Sequence, residues 1–329
     1  MSGETHQRSH MGICIVGPGA MGCLFGAFLG RAGHDVVLLD RNADRAKLIQ
    51  SNGIKVTGIS GDFTVRVEAT TDAGTARTAD LVMISVKSYD TASAVAELPG
   101  DLPENCAILT LQNGLGNVEL IAERFGAARA YAGTTALGAT LVGPGCVRHS
   151  GNGPTVIGRY KGAPDETVDR IVSALNQAGL EARATADVNL ALWNKVIVNA
   201  AINPLTALTG VRNGRLVEMP VARALLAQVV RECARIAQAD GVIEDPLPRV
   251  GEVCVKTGQN VSSMLQDILK GRPTEIGSIN GAILREAERQ KMSAPVNFVL
   301  TSLISVLERR GPFWRDRKKE EYGIRSVVL

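Results

Sequence analysis

The feature that most constrains this chain is a glycine-rich loop that follows a short apolar run and precedes a helix-forming stretch. The loop consists of Gly17, Pro18, Gly19, Ala20, Met21 and Gly22. In such a loop Gly17 permits a tight turn, Gly19 lets the backbone approach a pyrophosphate, and Gly22 lets helix and strand pack closely. The helix N-terminus then presents free N–H groups to phosphate oxygens. We therefore predict that residues 17–22 bind a dinucleotide.

Strand and helix patterns alternate through the first half of the chain. Apolar runs predict strands at 13–17, 36–39, 55–59, 63–69, 81–86 and 107–111, and several short ones between 133 and 158. Helical patterns occur at 20–31 and 43–52. A βαβ start followed by further strands predicts an α/β fold with a Rossmann-type, doubly wound and mostly parallel sheet.

The second half of the chain changes to helical patterns. Helices are predicted at 190–208, 221–239, 262–269, 275–290 and 295–309, with Asp240 and Gly241 ending the second of them. Because 329 residues are many for one hydrophobic core, we expect two domains. They are a dinucleotide-binding Rossmann domain over residues 11–185 and an all-α substrate and catalytic domain over residues 186–329.

Composition narrows the classes of function. A net charge of +3 is too small to favour nucleic acid or an anionic membrane as partner, and no apolar run reaches the about 20 residues that span a bilayer. The first ten residues are polar, so we interpret them as a floppy tail without an export signal. Six scattered cysteines without a CxxC pair indicate a reducing, cytoplasmic environment.

Histidine is scarce, with four residues in the chain. His6 and His10 lie in the polar tail and His34 in a turn, which leaves His149 as the one plausible catalytic imidazole. A metal site or a histidine-based triad therefore has little support. Proton chemistry is expected from a lysine or a carboxyl group.

Two adjacent residues at the end of the second strand bear on the choice of cofactor. Asp40 falls where an acidic residue binds a ribose 2′-hydroxyl, which favours NAD. Arg41 could hold a 2′-phosphate, which favours NADP. An aspartate beside that phosphate would repel it unless its side chain turns away or pairs with the arginine, so both cofactors stay open.

A polar stripe on an apolar helix is the most informative feature of the second half. Lys195, Asn199 and Asn203 are spaced four apart and therefore lie on one helical face. Their neighbours are almost all apolar, and an unpaired buried polar group costs on the order of 1–3 kcal/mol. A cleft that holds a polar ligand would supply partners for them. Pro204 is expected to bend or end this helix.

Further polar groups follow predicted strands or precede a predicted helix. Asn113 and Lys87 come directly after the strands at 107–111 and 81–86, at the edge where doubly wound sheets bind ligands. Glu275 is placed at the start of a helix, where a carboxylate also serves simply as a partner of the helix dipole.

Five stretches together carry a family resemblance. They are IVGPGAMG, VKSYDT, LQNGLGN, WNKVIVNAAINPLTALTGVRNG and SSMLQDILKGRPTEIGSING, which begin at residue 15 and end at residue 281. With them the chain resembles the ketopantoate reductase (2-dehydropantoate 2-reductase) family of the 6-phosphogluconate-dehydrogenase-like superfamily. The resemblance implies a Rossmann domain plus a helical domain. It also implies reduction of 2-dehydropantoate to (R)-pantoate with NADPH, in pantothenate and coenzyme A biosynthesis.

The resemblance also implies roles for single residues. Lys195 matches the family's catalytic lysine and Glu275 its active-site glutamate. The residues that match substrate-binding or site-ordering positions are Asn113, Asn199, Asn203, Asn260 and Ser263. Lys87 matches a cofactor-side lysine, Asn113 is assigned to the cofactor as well, and Arg41 matches the arginine that holds the 2′-phosphate. Asp40 departs from the family, which commonly has a neutral residue there.

The implied chemistry agrees with the residue types. Addition of hydride to a ketone creates negative charge on oxygen, which needs a proton donor, and Lys195 is the best candidate. We assign Glu275 to orienting Lys195 and the substrate hydroxyl. Two other functions stay open, a paralogous reductase of another 2-keto or hydroxy acid and a dinucleotide-binding sensor without turnover. A homodimer is expected from the family alone.

Overall fold

A computed structural model describes residues 10–239 and 245–309 of this chain. Residues 1–9 of the predicted tail, and Asp240 and Gly241, lie outside the described residues. The chain forms two compact units. The first contains the described residues up to Gln112 together with Asn117–Val188, and the second contains Asn113–Gly116 together with the described residues from Asn189 onward.

The first unit holds all the strands of the described chain. They are β1 (Gly12–Val16), β2 (Asp35–Leu39), β3 (Ile54–Gly58), β4 (Phe63–Val65), β5 (Glu68–Thr70), β6 (Leu81–Ile84), β7 (Ala107–Thr110), β8 (Ala130–Thr135), β9 (Gly138–Gly143), β10 (Cys146–Gly151), β11 (Thr155–Arg159) and β12 (Ala182–Ala184). Its helices are α1 (Ala20–Arg31), α2 (Ala43–Asn52), α3 (Thr91–Glu97), α4 (Asn117–Phe125) and α5 (Glu166–Gln177).

Eight of these strands form one sheet in the order β12-β11-β8-β7-β6-β1-β2-β5. All neighbours pair in parallel except β8 and β11. The order reverses at β1, since the chain runs first to β2 on one side and later to β6 on the other. The predicted α/β, doubly wound and mostly parallel fold is thus confirmed, and the glycine loop at the end of β1 lies at the strand-order reversal where such folds bind ligands.

The other four strands form a separate sheet in the order β4-β3-β10-β9. The single strand predicted at 63–69 is therefore wrong. Residues 63–65 pair antiparallel with β3, whereas residues 68–70 pair in parallel with β2 in the large sheet. One continuous strand cannot satisfy both partners, so the chain leaves one sheet and enters the other within two residues.

The second unit is helical in its described part. Its helices are α6 (Val188–Thr209), α7 (Arg215–Glu218), α8 (Pro220–Ala239), α9 (Leu247–Lys256), α10 (Ser263–Lys270), α11 (Asn280–Arg289) and α12 (Pro295–Glu308). The helices α7 and α9 were not predicted. None of the described helices is long and apolar enough to cross a membrane.

One prediction about the helices of this unit is wrong, and one of the two effects expected of Pro204, the end of its helix, does not occur. The helix predicted from residue 275 begins at Asn280, and residues 275–279 form turns. Glu275 is therefore not a first-turn partner of the helix dipole. Pro204 does not end its helix, because α6 continues to Thr209. The carbonyl of Ala200, which a residue at 204 would normally bind, instead accepts from the side-chain amide of Asn280 at 3.0 Å.

Candidate active site

The glycine loop of the first unit is shaped by two tight contacts and one open position. Gly17 has φ +94°, and a Cβ there would lie 2.6 Å from Cγ1 of Val86. A Cβ on Gly22 would lie 2.2 Å from the carbonyl oxygen of Gly17. At Gly19 the nearest neighbour of a Cβ would be the carbonyl oxygen of Ser85 at 4.0 Å. Internal packing thus explains Gly17 and Gly22, whereas the open side of Gly19 leaves room for another molecule.

The helix that starts at this loop is prepared for an anion. Among the described residues no side chain caps the N-terminus of α1, and its first turn contains no acidic residue. The amide groups of a helix's first turn have no partner within the helix and carry positive partial charge. The cradle at Gly19 and this uncapped end fit the pyrophosphate of a dinucleotide.

The acidic residue at the end of β2 does not pair with its sequence neighbour. Asp40 is buried, with 2% of its surface exposed, and both carboxylate oxygens bind the guanidinium of Arg45. Its Oδ1 also accepts from the backbone N–H of Asn42 at 3.0 Å. Arg41 is exposed, and its Nη1 lies 3.3 Å from Oδ1 of Asp90. The carboxylate of Asp40 is thus bound by the start of α2, whereas Arg41 is paired with Asp90.

Lys87 lies at the same edge of the sheet. It comes shortly after β6, is partly buried, and precedes a short 3-10 turn at Ser88–Asp90. Gln112 fixes this edge, because its Nε2 donates to the carbonyl of Val86 at 2.7 Å and lies 2.8 Å from Oγ1 of Thr91. Gln112 was not singled out from the sequence, where it reads as part of a turn.

In the second unit, the lysine of α6 lies near a buried carboxylate. Lys195 is partly buried, and burial among the apolar residues of α6 lowers its pKa from 10.5 to about 8. The carboxylate of Glu275, which is 7% exposed, acts in the opposite direction and raises the pKa of Lys195. The two charged groups therefore interact although 80 residues (275 minus 195) separate them in the chain.

Asn113 belongs to this group of residues and binds Glu275 directly. Its Nδ2 donates to Oε2 of Glu275 at 3.2 Å. The next residues hold this contact in place. Gly114 has φ +93°, a Cβ there would lie 2.2 Å from the carbonyl oxygen of Ser278, and the N–H of Leu115 donates to that same oxygen at 3.0 Å. The loop 113–116 therefore packs against the turn that carries Glu275, and only glycine fits at its second position.

The remaining predicted residues of the second unit differ in exposure. Asn203 is 6% exposed, Asn199 is half-buried, and both follow Lys195 on its helical face. Asn260 and Ser263 are exposed. The buried serine is its neighbour Ser262, which caps α10 and binds Oγ1 of Thr206 at 2.7 Å.

His149 is a structural residue. It is 4% exposed, its Nδ1 lies 3.1 Å from Oγ of Ser60, and its Nε2 lies 3.0 Å from the carbonyl of Gly151. Its ring packs edge-on against Phe28, and burial lowers its pKa. Both ring nitrogens thus have partners within the first unit, and His149 serves the packing of that unit.

A glycine loop at the strand-order reversal of a Rossmann sheet, in a chain that also has a helical unit with a polar cluster around a lysine, is typical of oxidoreductases that use a nicotinamide dinucleotide. Comparison with known proteins specifies the family. The chain matches the ketopantoate reductase PanE/ApbA family over residues 13–162 and that family's C-terminal region over residues 187–308. It belongs to the ketopantoate reductase PanE/ApbA family.

Individual relatives agree with this assignment. A 2-dehydropantoate 2-reductase of Halobacterium salinarum is 40% identical over 304 residues, which cover 92% of this chain and 100% of the relative. The crystal structure of a ketopantoate reductase from Ralstonia eutropha JMP134 is similar with a TM-score of 0.83 and 31% identity, covering 93% of this chain and 99% of that one. D-mandelate dehydrogenase with NADH and anilino(oxo)acetate is similar with a TM-score of 0.84 and 26% identity, covering 90% and 98%.

Proposed function

We propose that this protein reduces the ketone of 2-dehydropantoate to (R)-pantoate with NADPH, a step of pantothenate and coenzyme A biosynthesis. The observation that carries the proposal is Lys195, a partly buried lysine whose pKa is lowered to about 8 and which interacts with the buried Glu275. The family membership and the 40% identity to a 2-dehydropantoate 2-reductase support the choice of substrate.

Lys195 is the proposed proton donor. NADPH, when bound, supplies the hydride that adds to the ketone carbon. The oxygen then gains negative charge, and the ammonium Nζ of Lys195 donates its proton to that oxygen as the charge develops. A lysine with a pKa near neutrality gives up a proton more readily than an ordinary one and is still mostly charged at pH 7. Glu275 keeps the lysine oriented, and Asn113 fixes the carboxylate of Glu275 through its amide.

Five neutral polar residues of the second unit are the proposed substrate ligands. They are Asn113, Asn199, Asn203, Asn260 and Ser263. Amide and hydroxyl groups both donate and accept hydrogen bonds, which suits a substrate with a carboxylate and a hydroxyl group. None of these five side chains carries a charge. Lys195 is therefore the cationic group that the proposed site offers to an anionic substrate.

The first unit is the proposed cofactor-binding domain and the helical unit the proposed substrate and catalytic domain, with a boundary near residue 185. Residues 17–22, Lys87 and Arg41 are the proposed ligands of the dinucleotide, together with Asn113. NADPH is proposed over NADH because Arg41 is exposed while the carboxylate of Asp40 is bound by Arg45.

Two further properties belong to the same proposal. We assign the enzyme to the cytoplasm, which agrees with six cysteines that form no disulfide within the described chain. We also propose a homodimer. A row of exposed apolar side chains on α12 supports it: Phe298, Val299, Leu303 and Val306.

Steady-state oxidation of NADPH with purified protein tests the function. The matched substrates are 2-dehydropantoate and 3,3-dimethyl-2-oxobutanoate, which lacks only the hydroxyl group. A site built to bind that hydroxyl is expected to lower kcat/KM by about 100-fold or more for the analogue. Faster turnover of the analogue or of an aryl 2-keto acid would assign the protein to a paralogous reductase. Tight binding of NADPH without turnover of any keto acid would indicate a sensor.

A further inference from the structure

Arg45 is not among the residues proposed for catalysis or binding, yet it forms an ion pair with Asp40 at the end of β2. Nη2 of Arg45 donates to Oδ1 of Asp40 at 2.6 Å, and Nε donates to Oδ2. The side chain of Asp40 is 1% exposed and that of Arg45 is 34% exposed. The pair is thus bidentate, and the arginine covers the carboxylate from the side of α2.

The backbone completes this enclosure. The N–H of Asn42 donates to Oδ1 of Asp40 at 3.0 Å, and Asn42 itself caps α2 by accepting from the N–H of Arg45. Arg45 stands in the first turns of α2, so the same short segment, 40–45, fixes both members of the pair. The carboxylate therefore has three donors before any ligand arrives.

An aspartate at the end of the second strand of a Rossmann sheet ordinarily accepts hydrogen bonds from the ribose 2′-hydroxyl, and its charge repels a 2′-phosphate. Here the charge of Asp40 is balanced by a guanidinium in direct contact. Its acceptor oxygens point to that guanidinium. The neighbouring Arg41 keeps an exposed side chain. The position thus has the residue type of an NAD site and the electrostatics of a site that tolerates phosphate.

We propose that Arg45 is a specificity-determining positioning residue, which binds Asp40 and thereby allows this site to accept the 2′-phosphate of NADPH. The inference rests on the proposed use of NADPH and deepens it. Arg45 acts through Asp40, whereas Arg41 is the residue proposed to contact the phosphate. Removal of Arg45 takes away the guanidinium that occupies both oxygens of Asp40 and balances its charge, so the preference should move toward NADH.

The test compares four proteins: wild type, Arg45→Met, Asp40→Asn and the double variant. Dissociation constants for NADPH and for NADH are measured by fluorescence titration without substrate, alongside kcat/KM for each cofactor. In Arg45→Met the ratio of NADPH to NADH affinity is expected to fall by about 100-fold, from repulsion between the phosphate and an unbalanced carboxylate. The double variant has no carboxylate left, so its ratio should return toward that of the wild type.

Other results would overturn the inference. Equal losses for both cofactors in Arg45→Met, unrepaired in the double variant, would show that the pair only stabilises the fold. If Arg45→Met fails to fold, the double variant, which buries no unpaired charge, is compared with Asp40→Asn instead. An NADPH-to-NADH affinity ratio that is lower in the double variant than in Asp40→Asn would assign the effect to Arg45 itself and refute its action through Asp40. Arg77→Met is the matched control, since Arg77 forms an exposed ion pair with Asp101 in the same unit.

The binding measurements also separate this inference from the proposed function. A protein that shows the predicted shift in dissociation constants but does not reduce 2-dehydropantoate would refute the proposed substrate and keep the role of Arg45. If the wild type reduces 2-dehydropantoate but Arg45→Met has the same ratio of NADPH to NADH affinity as the wild type, the proposed function stands and the role of Arg45 is refuted.

Discussion

The side-chain amide of Asn280 donates a hydrogen bond to the carbonyl oxygen of Ala200 at 3.0 Å. Pro204 lies one turn after Ala200 and has no N–H, so this carbonyl lacks its usual donor within α6. Asn280 is fully buried and supplies the missing donor from α11. Ala200 lies five residues after Lys195, and Asn280 lies five residues after Glu275. This bond therefore ties the helix that carries the lysine to the segment that carries the carboxylate.

A double-mutant cycle of Asn280 with Pro204 tests this relationship. Asn280→Ala is expected to lower the free energy of unfolding by about 1–3 kcal/mol, because it leaves a buried carbonyl unpaired. The loss should be smaller in the Pro204→Ala background, since an alanine N–H at position 204 can bind Ala200. Part of the loss should persist, because Asn280 also donates to Asn297 at 2.9 Å. Urea unfolding gives the free energy of unfolding of the wild type, the two single variants and the double variant. Strictly additive losses would show that Asn280 and Pro204 are not coupled.

Replacement of Lys195 by methionine is expected to separate activity from stability. Loss of a general acid should lower kcat by about 10²- to 10⁴-fold, with the dissociation constant for NADPH unchanged. Folding lowers the pKa of this lysine from 10.5 to about 8, so its charge destabilises the native state, fully below about pH 8 and progressively less up to about pH 10.5. The variant should therefore melt at a higher temperature at pH 7. Lys256→Met, at an exposed site of the same unit, is the control, and near-normal turnover in Lys195→Met would exclude the lysine as the acid.

The pH dependence follows from the same pKa. Lys195 donates a proton only in its charged form, so kcat/KM for reduction is expected to be constant below about pH 8 and to fall tenfold per pH unit above it. The carboxylate of Glu275 raises the pKa of Lys195, so Glu275→Gln should move the break to lower pH. A break that stays in place, or moves upward, would contradict the interaction of the two charges.

Alanine substitutions in the glycine loop should have different effects at two neighbouring glycines. A Cβ on Gly22 would lie 2.2 Å from the carbonyl of Gly17, so Gly22→Ala must displace the backbone and should lower both thermal stability and cofactor affinity. A Cβ on Gly19 would have its nearest neighbour 4.0 Å away, so Gly19→Ala should keep its thermal stability. Its affinity for NADPH should nevertheless fall. Thermal melts and NADPH titrations distinguish these results. Unchanged affinity in Gly19→Ala would argue against a phosphate at this position.

Features with local causes could be predicted from the sequence. The bounds of α1 and α2 agree with the prediction at both ends. Asn42 caps α2 with its side chain, and Gly53 ends that helix with φ +74°. Such signals need no knowledge of the rest of the fold. The predicted polar face of α6 depended likewise on spacing within one helix.

Features that depend on distant partners could not be predicted in this way. Asn113 meets Glu275 across 162 residues, and the break between β4 and β5 follows from two different partner strands. Pairing of Asp40 with Arg41 was one possibility that adjacency suggested, but the geometry of α2 brings Arg45 to the carboxylate instead. The helix α9 was missed because Pro248 and Gly251 resemble loop residues, although Val250 and Cys254 point into the core.

The lowered pKa of Lys195 also decides which form of the enzyme serves each direction of the proposed reaction. With a pKa of about 8, roughly nine of ten free enzyme molecules carry the proton at pH 7. Ketone reduction consumes that proton, whereas oxidation of the alcohol requires the neutral amine, which the remaining tenth supplies. Alkaline medium is therefore the condition under which the reverse reaction is best observed, because it supplies the neutral amine and takes up the proton that oxidation of the alcohol releases.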